Sequence, residues 1–121
     1  MNSATASRIA AAAGLLAVAL GAFGAHGLKA VLNQNGTAVI WDKAVLYHFI
    51  HTVMLFMLAE RAKIPVLAWW SFLAGIVIFS GSLYLLAVTN AHWLGRITPI
   101  GGVCLVVGWC CLLLCARSQK S

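Results

Sequence analysis

Two histidines three residues apart, His48 and His51, are the residues of this sequence best suited to chemistry. Positions i and i+3 are neighbours on a helix surface, so both imidazoles are predicted to share one helix face and to point to the same side. They lie inside an apolar run, where a polar side chain is costly and suggests a functional site. Neutral imidazole binds haem iron, copper or zinc, and it also serves as a general base. The spacing indicates a site but selects no reaction.

Five further side chains join these histidines as candidate ligand-binding residues. They lie in the first three apolar segments and are His26, Tyr47, Ser80, Ser82 and Tyr84. A hydroxyl beside a histidine base can act as a nucleophile or a hydrogen-bond donor. The acidic residues Asp42 and Glu60 lie near opposite ends of the second segment, so no carboxylate is placed to orient a triad. We assign no catalytic residue, and an enzyme is the less favoured interpretation.

The composition places these residues in a membrane. Of the 121 residues 63% are hydrophobic and 8% are charged, with a mean hydropathy of +0.98, whereas a soluble domain is about 25% charged. At ~20 residues per helix, the length allows at most four or five spans and leaves no room for a soluble domain. The net charge of +6 comes from basic residues scattered near the ends of apolar runs. That pattern is typical of membrane orientation and excludes the clustered basic face of a nucleic-acid-binding protein.

Four apolar runs predict the membrane spans. They cover about residues 9–27, 39–59, 66–88 and 99–116. Short loops make neighbouring helices antiparallel, and lipid requires every backbone hydrogen bond to be satisfied internally. The predicted fold class is therefore all-α, an integral membrane bundle of four antiparallel transmembrane helices that forms a single domain over residues 1–121.

The first run is interpreted as a retained helix rather than a cleaved signal peptide. It carries small residues at every fourth position, Ala13, Ala17, Gly21 and Ala25. This spacing lets membrane helices approach closely. Gly27 is predicted to end the helix in a left-handed conformation, and a short interfacial helix is expected over residues 28–32.

Residues near the ends of the later spans carry further expectations. Trp41 and the Trp69-Trp70 pair are predicted to lie at the membrane interfaces as aromatic belts. Thr37 follows the Asn-Gly turn signal and is predicted to cap the second span with its side chain. The four cysteines all fall in the last run, and they are Cys104, Cys110, Cys111 and Cys115. We interpret them as small inert hydrophobes.

Basic residues predict the orientation. One side would carry Arg8, Arg61, Lys63, Arg117 and Lys120, and the other side would carry Lys29, Lys43 and Arg96. Because basic residues favour the cytoplasmic side, both termini of the multi-pass protein are predicted to be cytoplasmic. Counting from Trp41 at ~1.5 Å per residue, His48 and His51 would lie ~10 and ~15 Å below the outer interface.

Four motifs occur in order along nearly the whole chain. They are Gly21-Ala22-Phe23-Gly24-Ala25-His26-Gly27-Leu28, Tyr47-His48-Phe49-Ile50-His51, Phe79-Ser80-Gly81-Ser82-Leu83-Tyr84, and Thr98-Pro99-Ile100-Gly101-Gly102 with Gly108-Trp109. Together they resemble the signature of the YgdD-like small inner-membrane proteins, a family known as domain of unknown function 423. The resemblance implies a four-helix plasma-membrane protein and no activity, substrate or cofactor. Asn90 departs from the glycine expected after the third span, which affects only the turn.

Several functional interpretations compete for the same residues. A haem or metal site could use His48 and His51 with His26, but an i, i+3 pair does not oppose its rings across a bundle, and no carboxylate is deep enough to orient a ligand. An enzyme acting on lipid lacks the same carboxylate. A transporter would need at least a dimer, with His51 as a protonatable gate.

An accessory or scaffold protein needs the fewest assumptions. Its polar cluster in the outer half would fasten the helices or dock a larger partner. The alternative is a ligand-, lipid- or metal-binding pocket, part of a transporter or an enzyme, that uses His48 and His51. The expected partners are membrane lipids and either a second copy or a larger membrane protein, with no nucleic acid. The cofactor and the metal stay unknown.

Overall fold

The computed structural model describes residues 1–120, with side chains as far as Cys115. The elements are α1 (Ser3–Ala25), α2 (Lys29–Asn35), α3 (Ala38–Ala59), α4 (Val66–Gly75), a π-helical turn (Ile76–Ser80), α5 (Gly81–Thr89), a 3-10 helix (His92–Arg96) and α6 (Thr98–Lys120). Four stretches are long and apolar enough to cross a membrane, namely Ser3–Ala25, Ala38–Ala59, Val66–Thr89 and His92–Cys115. The predicted all-α fold is confirmed, and α4, the π-helical turn and α5 together form the third span.

The ends of α1 are set by local contacts. The side chain of Asn2 accepts a hydrogen bond from the backbone N–H of Thr5 at 2.8 Å, so the helix begins at Ser3, ahead of the apolar run. The prediction of a left-handed Gly27 is wrong, because the only glycine with positive φ in the described residues is Gly36. A Cβ on Gly27 would lie 2.5 Å from the ring of Phe23. Glycine makes room there for that ring.

The junction between α2 and α3 is tied to the end of the third span. Gly36 has φ 68° and ends α2 in the left-handed conformation that glycine adopts readily. Thr37 precedes α3, but the prediction that its side chain caps this helix is wrong. Its hydroxyl instead donates to the carbonyl of Ala87 at 2.6 Å, and the Asn35 side chain donates to the same carbonyl at 3.1 Å. These bonds satisfy a carbonyl that the helix end leaves open.

Small residues bring α1 against α3. The residues of α1 buried against its neighbours are Ala6, Ala10, Ala13, Ala17 and Gly24. The predicted small-residue ladder therefore packs at Ala13 and Ala17, but Ala25 is exposed and Gly24 replaces it in the contact. A Cβ on Gly24 would lie 2.5 Å from Cδ1 of Trp41. Within the described residues α1 packs along α3 and leaves the third span largely uncovered.

Two of the tryptophans predicted at the interfaces are buried instead. Trp41 is 3% exposed, and its indole N–H donates to the carbonyl of Leu20 in α1 at 3.0 Å. Trp69 is fully buried and donates to the carbonyl of Leu55 at 3.2 Å. Trp70 alone of the three is exposed. A buried indole needs a partner for its N–H, and free carbonyl lone pairs on neighbouring helices provide one in both cases.

The third span and α6 approach each other through glycines. A Cβ on Gly101 would overlap the backbone nitrogen of Phe79 in the π-helical turn, and it would lie 2.7 Å from the Cα of that residue. One turn and two turns further along the contact, Gly75 faces Leu105 and Gly108 faces Phe72. Gly101 therefore allows direct contact between two backbones, as small residues do in membrane helix pairs.

The bundle is centred on α3 and the third span, with α1 against α3 and α6 against the third span. We call the side that holds the N-terminus and the loop before Pro65 the terminal side, and the opposite side the α2 side. On the terminal side the Ser3 hydroxyl donates to the carbonyl of Ala59 at 2.7 Å. Four fully buried side chains, Leu55, Leu58, Trp69 and Phe72, fill the core where α3, α4 and α6 meet.

Candidate functional site

His51 is held by two hydrogen bonds that use both ring nitrogens. Its Nδ1 lies 2.8 Å from the carbonyl oxygen of Tyr47. Because a carbonyl only accepts, Nδ1 carries the proton. The indole N–H of Trp109 in α6 donates to Nε2 at 3.0 Å. The imidazole is therefore neutral, and the lone pair that a metal ion or a substrate proton would need is already taken.

Aromatic rings surround the same imidazole. The centroid of the Trp109 ring lies 5.9 Å from that of His51, and the Phe72 ring lies at 5.4 Å. Phe72 and Trp109 also meet edge to face at 5.2 Å. We call His51, Trp109, Phe72 and the Tyr47 carbonyl the closed cluster, since its polar atoms are paired with one another.

His48 makes a different set of contacts. Its Nδ1 lies 2.8 Å from the hydroxyl of Tyr84 in α5, and its ring borders the same cavity as Ala13 of α1. The Tyr84 ring packs in turn on Trp41 with centroids 4.7 Å apart. His48 therefore links α3 to α5 and lies against α1. We call His48 and Tyr84 the open pair, because they border a groove described below.

The two histidines thus reach different helices. His48 and His51 are both 4% exposed and occupy the buried face of α3, as their spacing predicts. The prediction that both rings point to the same side is wrong, because Tyr84 engages one ring and Trp109 of α6 engages the other. Within residues whose side chains are described, no group of three His, Cys, Asp or Glu could hold a metal ion. The structure therefore lends no support to the histidine metal site.

The predicted hydroxyls cross-link helices. Ser80 is buried and its hydroxyl donates to the carbonyl of Ala44 in α3 at 2.8 Å. The Ser82 hydroxyl lies 2.9 Å from the carbonyl of Phe79 and 2.6 Å from the hydroxyl of Thr98 at the start of α6. Neither serine contacts a histidine through these bonds. Their geometry fits fastening of α3, the third span and α6 rather than a nucleophile beside a base.

The two remaining predicted residues are His26, which lies apart from both histidines of α3, and Tyr47, whose carbonyl belongs to the closed cluster. His26 is exposed at the end of α1, thirteen residues beyond Ala13, which corresponds to ~20 Å along the helix. The ring of Tyr47 is partly exposed and packs on Phe79 at 4.7 Å. Tyr47 reaches His51 through its carbonyl and by a parallel ring arrangement at 6.2 Å.

Sequence reasoning missed two residues of the closed cluster, Trp109 and Phe72, and two residues that contact the other predicted side chains, Thr98 at Ser82 and Trp41 at Tyr84. Trp109 carried a usable signal, because an indole in the middle of a span needs an acceptor. Thr52 is another finding without a sequence signal: it is 5% exposed, and its hydroxyl has no hydrogen-bond partner among the described residues. The four cysteines of α6 carry free thiols, and Cys104 is not part of either cluster.

A groove runs along the third span beside the open pair. One cavity of about 400 Å³ lies between α1 and the third span, with Ala12 on one wall, Gly81 on the other and His48 and Tyr84 beneath. A second cavity of about 460 Å³ shares Gly81 and Tyr84 and continues to Leu94 near the 3-10 helix. The two cavities adjoin at these shared residues, and together we call them the α1 groove.

Comparison with known proteins supports the resemblance of the motifs. The family model described as "Protein of unknown function (DUF423)" matches residues 20–102. The chain belongs to this family. It is 45% identical over 108 residues to the UPF0382 membrane protein YwdK of Bacillus subtilis, covering 84% of this chain and 87% of the relative. It is 38% identical over 117 residues to a UPF0382 membrane protein of Haemophilus influenzae, covering 93% and 94%. No solved structure matches.

These findings confirm the predicted family and the prediction of a small membrane protein of unknown activity. The relatives are named as membrane proteins, and within the described residues four stretches are suited to crossing a membrane. The chain is a small multi-pass membrane protein of a family whose activity is unknown.

Proposed function

We propose that the protein is an accessory or scaffold protein of the plasma membrane, whose polar cluster fastens its own helices. The observation that carries the proposal is the closed cluster, in which both nitrogens of His51 are hydrogen-bonded to Tyr47 and Trp109. A metal ligand or general base needs a lone pair that is free to react. The most deeply placed histidine has none, so its role is architectural.

The remaining polar groups support the same interpretation. Ser80 and Thr37 donate to backbone carbonyls of a different helix, and Ser82 pairs with Thr98. Interhelical hydrogen bonds of this kind contribute about 0.6 kcal/mol each on average in a membrane protein. Several together hold the helices in one arrangement. A scaffold would present that arrangement to a partner through its outward surfaces.

The outward surfaces of α1 and α6 are the faces left for a partner. On α6 the side chains of Val103 and Leu113 are 62% and 66% exposed, and on α1 that of Leu15 is 73% exposed. In the membrane these faces meet lipid or another protein. We propose that the partner is a larger membrane protein or a second copy of this chain, beside membrane lipids.

We propose that both termini lie in the cytoplasm. The terminal side carries Arg8, Arg61 and Lys63, to which the sequence adds Arg117 and Lys120. The α2 side carries Lys29, Lys43 and Arg96. Basic residues are retained preferentially on the cytoplasmic side. A green fluorescent protein fused to the C-terminus should fluoresce, whereas alkaline phosphatase there should be inactive. Active phosphatase at that position would overturn the orientation.

Site-specific photo-cross-linking in cells tests the scaffold proposal. A photoreactive residue placed at Val103 should form a defined cross-link to one protein or to a second copy. The matched position is Leu105 on the same helix, which is 5% exposed and should cross-link only within the chain. The proposal is wrong if exposed positions on α1 and α6 yield lipid adducts alone. The proposal is also wrong if the purified protein has a catalytic activity that the His51→Gln variant lacks while this variant keeps the thermal midpoint of the wild type.

A further inference from the structure

The α1 groove is a feature of the fold that the scaffold role leaves unused. It exists because α1 packs along α3 and does not cover the third span. Leu73 lines the groove towards the terminal side, and Leu85 and Ile97 line it towards the α2 side. The groove therefore opens sideways at the depth of the membrane and reaches the membrane surface at the 3-10 helix.

The lining of the groove is suited to hydrocarbon. Its walls are mainly alanine, leucine, isoleucine and valine side chains from α1 and the third span, together with Gly81 and with Ser82, whose hydroxyl is bonded to Thr98. The polar atoms beneath it are largely engaged, since the Nδ1 of His48 and the hydroxyl of Tyr84 are bonded to each other at 2.8 Å. A polar substrate would lose its hydration there and gain few hydrogen bonds in return. An apolar chain has no such penalty.

The length of the groove corresponds to one leaflet. From Leu73 to Leu85 there are twelve residues, or ~18 Å of helix at 1.5 Å per residue. Half of a bilayer core is ~15 Å deep. One extended acyl chain therefore has about the length needed to follow the groove from the surface inwards.

The shape of the groove suits a chain-like occupant. The part beside α1 runs from Ile9 to Leu20, which is ~16 Å, and it holds a cavity of about 400 Å³. An extended hydrocarbon chain can lie along a space of this length.

The charge at the mouth of the groove fits a phospholipid head group. Leu94 and Ile97 line the mouth, and Arg96 between them is exposed. The segment 90–97 contains no acidic residue. Trp93 is 61% exposed beside it, as suits an indole at the membrane surface. A guanidinium at this position is complementary to a phosphate oxygen.

We propose that the α1 groove binds one acyl chain of a membrane phospholipid from the leaflet on the α2 side, with the phosphate beside Arg96. The lipid covers the face of the third span that α1 leaves open, and the open pair lies beneath its chain. This assignment goes beyond the scaffold role. It holds whether or not a protein partner binds elsewhere.

Native mass spectrometry of the full chain tests the proposal. The protein is reconstituted in nanodiscs of equal parts phosphatidylglycerol and phosphatidylcholine and then released from lipid in the instrument. We expect one phospholipid to stay bound per protein chain, with phosphatidylglycerol in excess over phosphatidylcholine. A wild-type protein that retains no phospholipid would overturn the proposal without any variant.

Two neighbouring alanines of α1 provide a matched pair of variants. Both alanines are exposed, but Ala12 lines the groove and Ala11 does not. Ala12→Leu should place its side chain in the groove and lower lipid retention about tenfold. Ala11→Leu adds the same side chain to the same helix and should leave retention unchanged. Equal retention in the two variants would contradict the assignment.

The opposite wall offers an independent variant. A Cβ on Gly81 meets nothing within 4 Å, so Gly81→Leu fills the groove from the third span without a backbone clash. It should reproduce the loss seen for Ala12→Leu. Arg96→Gln should remove the preference for phosphatidylglycerol while phosphatidylcholine binding persists. Unchanged preference in Arg96→Gln would overturn the placement of the phosphate.

The outcomes also distinguish a second copy from a lipid. If Ala12→Leu turns a dimer into a monomer and lipid retention does not change, the groove is a protein interface and the proposal is wrong. The thermal midpoint of each variant shows that the bundle is intact. Because this test counts lipids and the scaffold test detects a cross-linked protein, either proposal can fail without the other.

Discussion

The third span meets α6 on one flank and α1 on the other, and the two flanks are built differently. On the α6 flank, Gly101 lets the two backbones touch at Phe79. On the α1 flank the helices stay apart and the α1 groove remains between them. The difference shows that small residues close a membrane contact only where they face the neighbouring helix. The alanines of α1 face α3 instead, so they close that contact and leave the third span open.

The two histidines are likewise divided between the α6 flank and the α1 flank. His51 points towards α6 and belongs to the closed cluster, whereas His48 bonds Tyr84 and borders the groove. Two identical side chains one helical turn apart therefore have separate roles. The first holds helices together, and the second forms part of the floor of a ligand-sized space.

The largest expected effect comes from closing the contact at Gly101. In Gly101→Ala the new Cβ overlaps the backbone of Phe79, which cannot rotate away as a side chain can. We expect a loss of about 3 kcal/mol in the free energy of unfolding, at the upper end of the range for overpacking. Denaturant unfolding in micelles measures it.

The neighbouring glycine is the control for this prediction. A Cβ on Gly102 would lie 3.8 Å from the ring of Phe79, an ordinary contact. Gly102→Ala should therefore be neutral or stabilising by up to about 1 kcal/mol through helix propensity. If the two alanine variants unfold alike, α6 and the third span are not in backbone contact, and the contrast between the flanks fails.

Opening the closed cluster should have the next largest effect. Trp109→Phe removes the donor to Nε2 of His51 and leaves a buried acceptor unsatisfied as well as a small void. We expect a loss of about 1.5 kcal/mol, measured by the same unfolding experiment. Trp70→Phe changes an exposed indole and should stay within about 0.5 kcal/mol of the wild type. A similar loss in both variants would mean that the hydrogen bond to His51 contributes nothing.

At Thr52, which lies beneath α1, we expect a substitution to raise the free energy of unfolding rather than lower it. Its hydroxyl is buried and has no partner among the described residues, and its methyl group lies 3.4 Å from where a Cβ on Gly14 would stand. Thr52→Val replaces the hydroxyl with a methyl of similar size and should stabilise the protein by about 1 kcal/mol. Thr52→Ser keeps the hydroxyl and should not stabilise. A less stable valine variant would show that the hydroxyl is bonded in the membrane.

The smallest effect is expected for the open pair. Tyr84→Phe removes one hydroxyl, leaves the ring on Trp41 in place, and should cost about 0.6 kcal/mol. A double-mutant cycle with His48→Ala isolates the bond, since each single change also alters packing. A coupling energy near zero would contradict a direct bond between His48 and Tyr84. A coupling as large as that between His51 and Trp109 would remove the distinction between the two histidines.

The spans were predictable from the sequence because each is a long apolar run with a short polar loop, and the polar residues within them were visible as exceptions. Which partner each polar residue takes was not predictable, because that depends on how the helices are rotated. His51 meets Trp109, which is 58 residues away in the chain. The burial of Trp41 and Trp69 was unpredictable for the same reason. Their positions near span ends suggested that they lie at the membrane interface. In the structure both are buried, because carbonyls of neighbouring helices accept hydrogen bonds from their indole N–H groups.

At the turn residues, too, the sequence predicted what depends on local chemistry but not what depends on how a neighbouring side chain packs. Asn90 has φ 58°, the left-handed conformation for which a glycine was expected, and asparagine tolerates it better than most residues. That substitution could be interpreted from local chemistry alone. Gly27 could not, because its role depends on the Phe23 ring lying over it.

The π-helical turn at Ile76–Ser80 divides the third span into two halves. The directions in which their side chains point around the helix axis are set separately in each half. Such a turn holds one residue more than an α-helical turn would, and one residue corresponds to about 100° of rotation about the axis. Before it, α4 is phased to present Phe72 and Gly75 to α6. After it, α5 is phased to present Tyr84 to His48 and Ala87 to Thr37. An uninterrupted α-helix could satisfy one of these sets of neighbours but not both.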